Sequence, residues 1–138
     1  MNYIRYPFKD TTCRRNGLNF TDHFDGSITV DGLADKTTYF QITDHENVIL
    51  PLGRYKLSGC PKCNLDGCDL RVSNGAGGYR GYEFFGADDR GEGLVFNIDN
   101  SIRNMYVYIR VEKGASVKKK IFRPFVGLEN ASYTPPSF

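Results

Sequence analysis

The feature that most limits what this chain can become is a period of two. Val107, Ile109 and Val111 alternate with Tyr106, Tyr108, Arg110 and Glu112. Leu94, Phe96 and Ile98 are spaced the same way, as are Leu70 with Val72 and Tyr55 with Leu57. Successive side chains of a strand point to opposite faces, so such runs place one set inward and the other outward. No window of about 11 residues or more keeps a helical period without a Gly, Pro or β-branched interruption. The chain is therefore expected to be all-β.

Turn signals divide the runs. Residues 18–21 and 27–30 flank Asp22-His23-Phe24-Asp25-Gly26, an Asp-Gly turn that marks a hairpin. Further strands are expected at 37–43, 54–59, 69–73, 82–85, 94–98, 105–112 and 120–126, with Pro124 placing the last at an edge or bulge. The 15 glycines and 14% aromatics, with no Trp, suit short strands joined by tight turns. A length of 138 residues fits one domain. The expected architecture is an antiparallel β-sandwich, jelly-roll-like, of about eight to ten short strands. An extended segment at 1–13 leads into a sandwich at 14–130, and an extended tail covers 131–138.

The chemistry-bearing residues are sparse. Net charge is +2 and the isoelectric point near 8.3, which lacks the dense basic face that nucleic acid needs. The run Lys118-Lys119-Lys120, with Arg123, reads as a solvated hairpin end. Neither a membrane-spanning run nor a signal peptide is legible, so synthesis in the cytoplasm is expected. Cys60, Cys63 and Cys68 form a C-x2-C-x4-C cluster, with Cys13 distant. Zinc usually takes two separated ligand pairs, so loop or buried thiols are the first reading, ahead of a disulfide or a metal. His23 and His45 fall in turns, and no G-x-S-x-G is present. In Gly75-Ala76-Gly77-Gly78-Tyr79-Arg80-Gly81 the third glycine of a dinucleotide motif falls one place late. Asp88, Asp89 and Glu92 read as solvated loop acids. We therefore expect no catalytic residue, no metal and no cofactor.

Surface recognition remains. Aromatic faces stack on sugar rings while neighbouring polar groups bond the hydroxyls. Tyr106, Tyr108 and Arg110 project from one face of one strand, and Tyr79 and Tyr82 stand beside the glycine loop. These five are the candidate ligand-binding residues; the competing reading packs the Tyr106 face against a sheet, a subunit or the leading segment.

The order of segments carries a family resemblance. "YPFKDTT", "NGLNFTDHFDGSITVDGLADKTTYFQI", "LPLGRYKLSGCP", "MYVYIRVEKGASVKKKIFRPFVGLEN" and "ASYTPP" together resemble a β-sandwich domain of bacteriophage and prophage tail or minor structural proteins. In that family an "NGITFT…DGSITVNGTA" hairpin precedes "LPAGTYTLSG", and a closing hairpin leads to a tail like "ATPYEP". Two departures stand out: Val30-Asp31-Gly32-Leu33-Ala34 replaces "VNGTA", and the loop after Cys60 carries extra cysteines. The resemblance implies a carbohydrate-binding-module-like jelly roll, a place in the virion, other virion proteins as partners and a glycan on a host surface as a further ligand. A chain confined to this domain leads to the expectation of a small particle component such as a capsid decoration, head-fibre or tail protein. Unpaired strand edges invite association, so a homo-oligomer is expected, a trimer first.

Overall fold

A computed structural model describes residues 1–43, 50–62, 67–74, 84–99 and 105–137. Over these residues the chain is all-β, with eleven strands in three antiparallel sheets arranged as a β-sandwich. In chain order they are β1 (Cys13–Arg15), β2 (Leu18–Asp22), β3 (Ile28–Leu33), β4 (Thr38–Thr43), β5 (Gly53–Ser58), β6 (Cys68–Ser73), β7 (Phe84–Asp88), β8 (Leu94–Ile98), β9 (Tyr106–Val111), β10 (Ser116–Phe122) and β11 (Phe125–Leu128). The sheets run β1-β2-β3-β10, β11-β5-β8 and β4-β9-β6-β7. Only Arg123 and Pro124 separate β10 from β11, so the first two sheets adjoin at a proline that cannot donate to a ladder. The single strand expected at 120–126 is thus two strands, broken at Pro124.

Alternation places the core as the sequence indicates. Leu18 and Phe20 of β2, Ile28 and Val30 of β3, Leu70 and Val72 of β6, and Val107, Ile109 and Val111 of β9 are all fully buried. The layers meet through stacked rings: Phe20 on Phe40 at 4.9 Å and Phe85 on Phe96 at 5.4 Å between centroids. Leu94, expected inward, is only partly buried at the edge of this cluster. Asp88 is not a solvated loop acid: it closes β7, lies buried, and its Oδ1 accepts from the backbone N–H groups of Gly91 (3.0 Å) and Arg90 (3.4 Å). Asp89 and Glu92 are exposed as expected.

The leading segment is part of the fold rather than an approach to it. Asn2, Ile4, Tyr6 and Phe8 are buried in alternation. The Asn2 amide is a hub: Nδ2 donates to the carbonyls of Pro124 (3.2 Å) and Thr134 (3.0 Å), and Oδ1 accepts from the N–H groups of Ile4 (3.0 Å) and Val126 (3.2 Å). Lys9 and Asp10 donate backbone N–H to Ile42 and Gln41, pairing with β4. The tail is tied down in turn, because the Tyr6 backbone N–H donates to the Ser137 carbonyl and Tyr133 packs against the buried Phe125 of β11.

The basic run sits on β10, the outer strand of its sheet, rather than at a hairpin end. Lys118 and Lys119 are exposed beside a register irregularity between Val117 and Lys120. A bulge and lysines on an outer strand oppose edge-to-edge pairing.

Tyr6 joins the leading segment to the β2–β3 turn. Its hydroxyl donates to Asp22 Oδ1 (3.1 Å) and accepts from the Gly26 N–H (2.7 Å). Gly26 adopts φ +97°, and a Cβ there would strike Pro136 and Tyr133. Burial, helped by Asp22, pushes the Tyr6 hydroxyl well above the usual phenol range. The folded state therefore keeps this proton while the unfolded chain releases it above about pH 10, so the contribution is intact below that value and fades as pH rises beyond it. Tyr6→Phe is expected to cost about 1–3 kcal/mol at neutral pH, because the Gly26 N–H is left unpaired and Asp22 Oδ1 keeps only the Phe24 N–H. It should also lose less stability than the wild type on moving above about pH 10; denaturant unfolding at neutral and alkaline pH measures both.

Candidate functional site

The outer face of the sheet β4-β9-β6-β7 gathers the chemistry-bearing side chains, and strand register sets their rows. Tyr39 of β4 lies opposite Arg110 of β9, which lies opposite Asp69 of β6. The next row is Gln41, Tyr108, Arg71 and Ala87, and the third is Tyr106, Ser73 and Phe84. Two bulges, one between Gln41 and Thr43 and one between Val72 and Ser73, set which residues of the outer strands β4 and β7 share these rows.

Tyr106 and Tyr108 stand on the expected face, but they are not open to a ligand: each is only 6% exposed. Tyr39 packs against Tyr108 with ring centroids 5.8 Å apart. Arg110 is half-buried between Tyr39 and Asp69. Tyr79 and Tyr82 lie outside the described residues, as do His45, Cys63 and the glycine loop. The exposed aromatics of this face are instead Tyr39 (44%) and Phe84 (42%), on the two outer strands.

Between these rims Arg71 is fixed in place. Its Nε donates to Asp69 Oδ1 at 2.7 Å and its Nη2 to Asp69 Oδ2 at 3.2 Å, a forked ion pair. The guanidinium carbon lies 5.1 Å from the centre of the Phe84 ring, within reach of a cation–π contact. The hydrogen bonds to Asp69, more than the opposing burial, hold Arg71 above the ordinary arginine range. Gln41 Oε1 is buried in this face with no hydrogen-bond partner. What the arrangement offers at its surface is two flat rims and a fixed guanidinium. The signal for Arg71 with Asp69 is present in the sequence as two opposite charges two residues apart on one strand, hence on one face. Nothing in the chain's linear order links them to Tyr39 or Phe84.

Among the described residues Cys13, Cys60 and Cys68 are free thiols. Cys60 is buried, and burial, with Asp88 adding to it, pushes its thiol well above the usual range. Cys13 is half-buried on β1, the outer strand of its sheet. Among the described residues no group of three or more His, Cys, Asp or Glu side chains could hold a metal ion. His23 reaches Thr29 Oγ1 through Nε2 at 2.6 Å, in the turn where the sequence places it.

Two expectations follow. Tyr108→Ala should destabilise the fold by about 3–5 kcal/mol, as for a buried aromatic, whereas Tyr39→Ala stays within about 1 kcal/mol; thermal and denaturant melts decide it. Alkylation of the native protein followed by peptide mass mapping should label Cys13 ahead of the buried Cys60 and Cys68, with Cys60 untouched until unfolding.

Neither a family model, a curated protein nor a solved structure matches this chain.

Proposed function

We propose that this chain is a non-catalytic structural module of a bacteriophage or prophage particle, acting through contacts with other particle proteins or with a surface. The setting in the virion rests on the resemblance of the hairpin and closing segments. The observation that carries the mode of action is the burial of Tyr106 and Tyr108. The two rings that a sugar-stacking face would need are used up within the fold, so the module is better suited to holding a rigid shape than to gripping a ligand on that strand. Pinning of both end segments onto the sandwich supports the same reading, because a subunit in an assembly needs fixed surfaces.

A glycan-binding attachment role stands as the second reading, favoured by the half-exposed rims of Tyr39 and Phe84 around the fixed Arg71. Flat rings and a guanidinium are the groups that recognise polyhydroxylated ligands.

Mass spectrometry of purified phage or prophage particles from the host that encodes this chain should find it as a regular particle component, and its absence there defeats the first reading. For the second, Tyr39→Ala and Phe84→Ala should abolish any binding seen on an array of host envelope sugars, with Tyr106 left intact. No binding by the wild type removes it.

A further inference from the structure

Three arginines among the described residues are neither buried nor fully exposed: Arg15, Arg71 and Arg110. A guanidinium carries five donors and keeps its charge, so its partial removal from water is ordinarily met by a bonding partner. Two of the three conform. Arg15 Nη1 lies 3.4 Å from Asp10 Oδ2 and donates to the Tyr39 carbonyl at 2.6 Å. Arg71 is held by both oxygens of Asp69. Arg110 is the exception, because among the described residues it has no hydrogen-bond or ion-pair partner. Asp69, its neighbour by register on β6, already has each oxygen engaged by Arg71. Glu112, two residues further along the chain and on the same face, is exposed and forms no ion pair with it.

This spare cation stands beside an exposed ring. Tyr39 lies directly opposite Arg110 on β4, is 44% exposed, and is braced by Tyr108 with ring centroids 5.8 Å apart. Opposite residues of an antiparallel pair hold their Cβ atoms about 5 Å apart, so a ring laid on Tyr39 brings its substituents within reach of Arg110. One row along, Asp69 neutralises Arg71, whose Nη1 makes no hydrogen bond and keeps its donors for a neutral group. Two arginines against one aspartate leave one positive charge over in these rows. Phe84, on the far outer strand, stands at least about 14 Å from Tyr39 across three strand spacings. A ligand that touches both rims is therefore extended.

We propose that this face binds an acidic oligosaccharide, with a sugar ring stacked on Tyr39 and that ring's carboxylate received by Arg110. A carboxylate is planar and presents two oxygens, which match the parallel N–H donors of a guanidinium. The hydroxyls of the next sugar meet the free donors of Arg71, and Phe84 supports the chain beyond it. The inference rests on the glycan-binding reading above and adds the chemical class of the ligand.

The test is a panel of oligosaccharides containing uronic or sialic acids, each paired with the same oligomer after reduction of its carboxyl groups to alcohols. Calorimetric titration of the wild type should show at least one acid bound roughly 10-fold or more tighter than its reduced form, as for one charge-assisted contact. That advantage should shrink as salt is raised. Arg110→Gln should bring the acid down to the affinity of its reduced form while melting with the wild type. Arg110→Lys, which keeps the charge but not the fork, should retain part of the preference. Tyr39→Ala should remove binding of both forms. Equal binding of acids and reduced forms, or an acid preference that survives Arg110→Gln, overturns this assignment and leaves the glycan-binding reading standing. Tighter binding of a phosphorylated sugar than of any carboxylate also overturns it. A wild type that binds neither form defeats the glycan-binding reading itself.

Discussion

Strand β9 has to be buried on both of its faces, and the rest of the sandwich is arranged around that demand. Val107, Ile109 and Val111 enter the core between the layers, while Tyr106 and Tyr108 are covered on the other side. A central strand with β4 and β6 on either flank satisfies its backbone fully through the two ladders. Tyrosine suits the outer side because a large ring fills space while its hydroxyl can reach a polar partner. The flanking rows of Tyr39, Gln41, Asp69 and Arg71 then complete a face that is part packed and part exposed.

The second organising contact is polar. Asn2 ties the leading segment, the Pro124 junction, β11 and the tail through four hydrogen bonds from one buried amide. Each is modest alone, but losing the side chain would strand several buried partners at once. Through Tyr6 the same segment braces the β2–β3 turn, so the geometry of an exposed loop depends on residues far from it in sequence.

Much of the fold is legible from alternation because period two reports a face directly. The β2–β3 hairpin and the inward sets of β6 and β9 follow from it. It does not report what covers a face, and so the sequence leaves Tyr106 and Tyr108 between a ligand face and a packed one; they are buried. The candidate site is less legible, since Tyr39, Arg71 and Phe84 sit on three strands and meet only through register, which two bulges reset. The leading segment shows the opposite failure: Asn2, Ile4, Tyr6 and Phe8 alternate cleanly, but Pro7 and the lack of a flanking turn signal make the run look loose. Burial of Asp88 escapes sequence because its partners are backbone N–H groups, which every residue carries.

The pairing of Lys9 and Asp10 with β4 has a consequence for how the molecule comes apart. These two residues cap the outer ladder of the four-stranded sheet, and Phe8 just before them is buried in the core. Peeling the first dozen residues away would therefore bare a raw strand edge and an oily slot in the same motion. Partial unfolding from that end would not yield a trimmed but tidy sandwich. It would create a sticky template, ready to recruit extended chain from wherever it can be found.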